Sequence, residues 1–384
     1  MREWSLGRAL VLGVVLVALA GGGGLWLFVR RAQAQIDASG LRARDLAAAR
    51  VEQQVEAELG RASAALEQIR GAVESGAVSH DDAAGVEALL YGVLAADAHL
   101  EEATFTRAES TGFDAAGDAL VEERPRWQLS IVREPSGALP TSLVGRGAAG
   151  FERTTRARGP GDRFDAAPFG PPTAAADPTE HATFSVLASR GGRGRPIWSD
   201  LHLAEIDAAL PEAARRVVVS VQRSVTGPGG RLLGVVRVAI VSAELDAIAT
   251  RGSRECEGRV VLLAASRPDG APRTRLDLVA RVDPSDRFLV VGADDLRLES
   301  ARPPPEVAAL LGSDVAAGLD PARPVADGAL DVGAEPWAAT LRPIGGDDAR
   351  SEAAAAGLGG GGTRGWLVAV LAPRSLYTRE LDAF

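Results

Sequence analysis

From Ala9 to Val29 the chain reads ALVLGVVLVALAGGGGLWLFV, an apolar run without a single charge. At about 1.5 Å per residue, a helix of this length crosses the roughly 30 Å hydrocarbon core of a bilayer. No second run in the sequence approaches it. The pattern predicts a short terminus at 1–8, a transmembrane helix over 9–29 and a tethered polar body beyond. A cleaved signal peptide is the rival reading, because Ala32-Gln33-Ala34 forms an A-x-A pattern just downstream. The run exceeds the usual apolar region of such a peptide, and Arg30-Arg31 stand where cleavage favours small neutral residues. The anchor is therefore preferred. Orientation is contested by charge alone: Arg2 and Arg8 precede the span, while Arg30, Arg31, Arg42 and Arg44 follow it. That count would put the bulk of the chain in the cytoplasm.

At 384 residues the chain has room beyond the anchor for about two domains. All 42 basic residues are arginine, and they are interleaved with acids at a net charge of −9. A phosphate backbone asks for a basic face, so nucleic acid is not an expected partner. The lone Cys256 excludes an internal disulfide framework and multi-thiolate metal sites. Without lysine there is no Walker-type phosphate loop, and Gly359–Gly362 reads as a flexible run. No G-x-S-x-G elbow is present. Asp200-x-His202 with Glu205 matches no strong metal-ligand spacing. No catalytic residue, cofactor or metal is predicted.

Past the span, 30–78 reads as a long helix. Val51, Val55, Leu59, Ala62, Leu66, Ile69 and Val73 recur at steps of three and four, and Gly76 offers a stop. A stripe this narrow suits a domain flank, a solvated connector or a homodimer seam. Ser79-x-x-Asp82 resembles a capping box ahead of a second helix with Val86, Leu89, Leu90, Val93 and Leu94 on one face. From about residue 101 the period changes to two. Strands are expected near 103–108, 127–132, 183–188, 216–225 and 231–241, the last two joined by Thr226-Gly227-Pro228-Gly229-Gly230 as an antiparallel hairpin. Residues 145–180 read as a long loop, Ser199 or Asp200 as the cap of a short helix through Ile206 and Leu210, and 242–249 as a helical connection. A second series of strands follows near 258–266, 274–282, 287–292, 336–344 and 365–373, with a short helix at 306–311 and a Gly/Ala-rich loop at 345–364. Two strand-dominated units in tandem make an α+β chain, with domains expected at 79–250 and 251–374.

The hairpin VVVSVQRSVTGPGGRLLGVVRVAI resembles the double Cache sensor family, whose pattern is a strand, a polar turn with glycine and a strand of type G-V-V-x-V. GRVVLLAASRPDGAPRTR is similar to the opening of that family's membrane-proximal domain, and GWLVAVLAPRSLY to its last strand and exit. The ordered series covers about 32–384. The resemblance implies two tandem PAS-like antiparallel-sheet domains on a long helix, outside the cytoplasm, with a small-molecule ligand in the distal one. It implies an inner-membrane protein with a periplasmic bulk, against the arginine count, and an exit helix at 375–384 toward a second span and a cytoplasmic signalling module if the chain continues.

Strand alternation then suggests site residues. Leu233, Val235, Arg237 and Ala239 are expected on one face of the second hairpin strand, and Leu232, Val236, Val238 and Ile240 on the other. In amino-acid-binding relatives the position matching Ala239 carries an aspartate for the ligand amine, which alanine cannot replace. A guanidinium at Arg237 would suit an anionic ligand; the competing reading is an arginine reaching solvent at a strand edge. Trp198, followed by Ser199-Asp200, matches a pocket-rim tryptophan of the family, or else a core anchor. Ser220 and Gln222 share a face with Val218 and complete the candidates. A membrane-anchored interaction protein with ligand-free domains is the alternative from another class; a secreted hydrolase is a third, lacking an acid–base pair.

Overall fold

A computed structural model describes residues 6–378, except 117, 122–125, 160–166, 190–193, 195, 200, 205–206, 208–209, 212–214, 267–273, 284, 291–295, 318, 320–325 and 346–364. The apolar run and the long helix are one element, α1 (Leu6–Glu74), 69 residues without a break. From Val14 to Arg30 its side chains are exposed, and by length and composition this helix is able to cross a membrane. Beyond it the predicted stripe turns inward. Val51, Val55, Ala62, Leu66, Ile69 and Val73 are buried against the chain's own sheets. The stripe is therefore neither a solvated connector nor a free dimer seam. α2 (Ala83–Ala96) follows, but its cap is Asp82, whose carboxylate accepts from the Ala84 N–H, whereas Ser79 Oγ accepts from Asp81 N. The capping box thus begins three residues too early.

Two antiparallel sheets lie along α1. The first comprises β1 (Glu102–Arg107), β4 (Trp127–Val132), β5 (Thr141–Arg146), β6 (Phe151–Arg156), β7 (Thr173–Ala175), β8 (Ile197–Trp198), β9 (His202–Leu203), β10 (Val217–Thr226) and β11 (Leu232–Val241). Its order is β7-β6-β5-β4-β1-β11-β10-β8, with β9 also on β10. A small ribbon of β2 (Ser110–Phe113) and β3 (Ala119–Val121) stands apart. Three expectations fail here. Residues 145–180 are not all loop, since β6 and β7 lie within them, and 183–188 belongs to a helix, α3 (Ala182–Ala188). Phe184 and Leu187 then pack three apart on one side, a helical spacing read too short to separate from a strand. Ser199 caps no helix; it stands between β8 and β9, and Asp200, Glu205 and Ile206 lie outside the described residues.

α4 (Ser242–Glu255) leads to the second sheet of β12 (Arg259–Ser266), β13 (Arg275–Leu278), β14 (Arg287–Val290), β15 (Leu296–Glu299), β16 (Ala326–Val332), β17 (Glu335–Pro343) and β18 (Gly365–Pro373). Its order is β14-β15-β13-β12-β18-β17-β16. α5 (Pro305–Leu311) and α6 (Asp314–Ala317) precede β16, and α7 (Ser375–Thr378) follows β18. The fold is α+β with two tandem antiparallel sheets. The second sheet lies nearer the apolar run, with Arg44 and Asp45 of α1 bonded to Thr340 and Arg342, while Glu67 and Glu74 reach Arg223 and Thr226 of the first. Cys256, half-buried at the end of α4, has its thiol pushed up by burial, which disfavours the reactive thiolate.

Both sheets turn one face to the helices. Phe105, Leu129, Val219, Val221, Val238 and Ile240 of the first, and Val260, Leu262, Val368 and Val370 of the second, join the stripe of α1 in one continuous core. Hairpin register shifts between Val225 and Thr226, so Thr226 opposes Leu232 and Leu233 is the extra residue. This bulge inverts the expected alternation at the strand's start. Leu233 packs on the helix side with Val236, and Leu232 packs on the opposite side with Val235. Gly234, the glycine of the G-V-V-x-V pattern, has a steric reason: a Cβ there would stand 2.3 Å from the Thr106 carbonyl oxygen and 2.9 Å from the Phe105 ring. Gly234→Ala is expected to cost about 2 kcal/mol, because a backbone carbonyl has little room to yield. Thermal unfolding of the variant measures it.

Candidate ligand-binding site

The two sheets differ on the faces turned away from α1. In the second sheet that face is apolar: Val261, Leu263, Leu341, Leu367 and Ala369 are closed over by Val307 and Leu310 of α5. In the first sheet it is polar and still buried. Register places Ser130, Thr104, Arg237 and Gln222 in one row across β4, β1, β11 and β10. Gln128, Thr106, Val235 and Ser224 make the row on one side, and Val132, Glu102, Ala239 and Ser220 the row on the other. Every polar member of these rows is buried. Burying polar groups is unfavourable unless they find partners, so such a face on one sheet only calls for a cause.

At its centre is an ion pair. Arg237 is 3 % exposed and Glu102 2 %, and Arg237 Nη2 donates to Glu102 Oε1 at 2.6 Å. Arg237 sits on a central strand, which rules out a side chain reaching solvent at an edge. Its charge is compensated from β1, so this face is neutral at its centre rather than built for an anion alone. Thr104 Oγ1 lies 2.8 Å from both Glu102 Oε1 and Ser130 Oγ, and Gln128 Nε2 donates to Thr106 Oγ1 at 3.1 Å. Gln222 is buried beside Arg237, and its Oε1 has no hydrogen-bond partner among the described residues. An orphaned amide oxygen next to a buried ion pair is a natural acceptor for a ligand donor.

Of the sequence candidates, the fold brings together Arg237, Gln222, Ser220 and Ala239. Ser220 Oγ is 2.8 Å from Ser199 Oγ, which also lies 3.2 Å from His202 Nδ1, so these hydroxyls tie β8 and β9 to β10. Trp198 is not brought in. It opposes Val221, whose side chain lies on the helix side, while Ile197 opposes Gln222. At 37 % exposed Trp198 is no core anchor either. Asp200 lies outside the described residues. Sequence reasoning missed Glu102, whose strand partner is Ala239. Glu102 places a carboxylate directly across the strand pair from Ala239. An isolated Glu in Glu101-Glu102 has no local mark; only the β1–β11 register reveals it.

Arg216 braces the near end of this segment. It donates to Asp207 Oδ1 at 2.7 Å and Oδ2 at 2.8 Å, and also reaches Glu101 Oε1 at 2.5 Å. Burial works against ionising Asp207, but the side-chain and backbone donors of Arg216 outweigh it and hold the carboxyl below its ordinary value. Burial dominates at Glu101 and pushes its carboxyl up, despite Arg216. His80 Nε2, 2.5 Å from Glu109 Oε1 and 3.6 Å from Asp81 Oδ2, forms the described cluster nearest to a metal set, yet Arg107 and Arg231 already neutralise those carboxylates.

No family model matches this chain, and no curated protein matches it. Solved structures do. A methyl-accepting chemotaxis protein X matches at 15% identity and TM-score 0.46, over 88% of this chain and 99% of that one. The periplasmic sensory domain of the Campylobacter jejuni chemoreceptor Tlp1 matches at 11% and 0.48, over 90% and 98%. The ligand-binding domain of the Pseudomonas fluorescens chemoreceptor CtaA, in complex with L-leucine, matches at 11% and 0.44, over 89% and 98%. The likeness is to chemoreceptor sensor domains. It is one of overall arrangement.

The Asp207 clamp carries a pH dependence of definite sign. A carboxyl with a lowered folded-state value stabilises above its unfolded value, about 3.9, and that stability fades as pH falls through the folded value. Glu101, raised, has the opposite sign. The melting-temperature gap between the natural protein and Asp207→Asn is therefore expected to be full at neutral pH and to close below about pH 4.

Proposed function

We propose that this chain is a membrane-anchored extracytoplasmic sensor whose first sheet, in a membrane-distal unit over 79–250, holds a small polar molecule. The observation that carries this reading is the buried polar lattice around Arg237 and Glu102, set against the apolar far face of the second sheet. The pair supplies both signs of charge side by side. A ligand with a carboxylate and an ammonium is read by Arg237 and Glu102 together, with Gln222 Oε1 as a further acceptor. This replaces a purely anionic ligand, because Glu102 cancels the charge on which that idea stood.

The unit over 251–374 is then a membrane-proximal spacer, and α1 the element that both units bias. Signalling requires a ligand with different affinity for two states, and α1 touches the helix side of the sheet whose other face binds. Glu67 and Glu74, bonded to Arg223 and Thr226 at one end of β10, are the contacts by which a shift of that strand would reach the helix. Orientation with the bulk outside the cytoplasm follows from the same reading, and a reporter fused beyond Phe384 would test it. An output lies in whatever cytoplasmic module the signal reaches. No step of bond chemistry is assigned to this chain.

Thermal-shift screening of the purified protein against free amino acids and dicarboxylic acids tests the site. Amino acids should stabilise it and simple dicarboxylates should not. Removing one partner of a buried pair leaves the other uncompensated at about 3–5 kcal/mol, so Arg237→Gln alone should lower the melting point steeply. The paired change E102Q/R237Q should recover most of that loss while abolishing the ligand response. A ligand response unchanged in the paired variant would remove the site.

A further inference from the structure

Charge sorts by face toward the β6–β7 edge of the first sheet. β6 runs Phe151-Glu152-Arg153-Thr154-Thr155-Arg156, so Glu152, Thr154 and Arg156 alternate with Phe151, Arg153 and Thr155. On the helix side the arginines are answered. Arg156 and Arg158 share the buried carboxylate of Glu87 on α2, at 3.2 and 2.6 Å. Register carries the other set onto the face turned away from α1. Arg153 stands opposite Val144, which itself stands opposite Gln128 of the polar lattice, and Arg146 stands opposite Phe151. Arg146 and Arg153 are therefore diagonal neighbours on adjacent strands, about 7–8 Å apart at Cα.

Among the described residues neither of these two meets a carboxylate. The guanidinium of Arg146 lies over the Phe151 ring, 5.9 Å from its centre. Arg153 is half-buried, and its Nε is shut away from water with no hydrogen-bond acceptor among the described residues. Glu152, the acid next to it in sequence, projects to the other face and lies against Gly147. A buried donor left unmet is costly, and two neighbouring cations repel, so this corner gains from an anion between them. Access is open, because Arg146, Thr155 and Thr173 on this face are exposed. Thr173 Oγ1 donates to the Arg153 carbonyl at 3.3 Å, which leaves the Thr155 hydroxyl to face a ligand.

We infer that this corner binds a tetrahedral oxyanion, phosphate or a phosphate monoester, between the guanidinium groups of Arg146 and Arg153. Two forks ask for an acceptor with oxygens on several sides and more than one negative charge. A phosphate dianion has both, and a lone carboxylate has neither. The Phe151 ring holds one fork in place through its face, and the half-buried setting of Arg153 holds the other. The site is separate from the sensory lattice: β6 and β11 are four strand steps apart, about 19 Å. It stands whether or not Arg237 and Glu102 hold a ligand.

The test titrates the full chain, held in detergent, with inorganic phosphate at neutral pH and constant ionic strength. Sodium chloride is the reference salt, and calorimetry and the melting temperature are the readouts. A single phosphate per chain is expected, held about tenfold more weakly in Arg153→Gln and in Arg146→Gln. Arg146→Gln, at an exposed side chain, decides the matter if Arg153→Gln fails to fold. Glycerol 3-phosphate should bind as phosphate does, since only one oxygen is esterified, and succinate should not. Phosphate that stabilises no more than chloride overturns the proposal. Binding unchanged in both single variants marks an adventitious ion only and overturns it too. E102Q/R237Q should keep the whole phosphate response; losing it there would move the anion to the sensory lattice and remove this site.

Discussion

The structure depends on one narrow apolar stripe along α1. Val51, Val55, Ala62, Leu66, Ile69 and Val73 carry the helix face against which both sheets close, and the core they form runs unbroken from one sheet to the other. Each fully buried aliphatic side chain contributes about 1.5–3 kcal/mol by leaving water. A helix of 69 residues would otherwise be a marginal element over its polar length. Packing both sheets on the same rod also couples them: neither can rotate without disturbing a core that the other shares.

With the helix side of each sheet committed to that rod, the far faces are where the two units diverge. The second sheet spends its far face on more hydrophobic packing under α5. The first spends it on Glu102, Thr104, Ser130, Gln222 and Arg237. A buried ion pair is rarely the most stabilising choice for a core, since apolar residues of equal volume often do as well or better. Its presence on the first sheet, against the apolar far face described on the second, is the difference on which the proposed sensory role rests.

Much of this could be read along the chain. The exposed apolar run announces itself by length and lack of charge, and the stripe of α1, α2, the β10–β11 hairpin and the strands β12, β17 and β18 by local apolar pattern. Failures cluster where a local signal is short or shared. α3 is seven residues long, and its ATFSVLA reads equally as a strand. β6 and β7 are edge strands with half-exposed patterns in a Gly- and Pro-rich stretch, so no alternation marks them. The bulge at Leu233 inverts two residues because register is a property of the pair of strands.

Sequence alone determined that the chain has one span-length apolar helix, an amphipathic continuation and two β-rich units, since these follow from composition and period within single segments. It marked Arg237 and Ala239 as sharing a face of one hairpin strand, and Ser220 and Gln222 as sharing a face of the other. Tertiary structure alone decided what that face is. Pairing of β1 with β11 sets Glu102 opposite Ala239 and beside Arg237, turning an expected anion site into a neutral one with both charges present. It also turned Trp198 to the other side of the sheet. The physical reason is that charge compensation and facing depend on which strands become neighbours, and residues 102 and 237 meet only when a sheet closes between them.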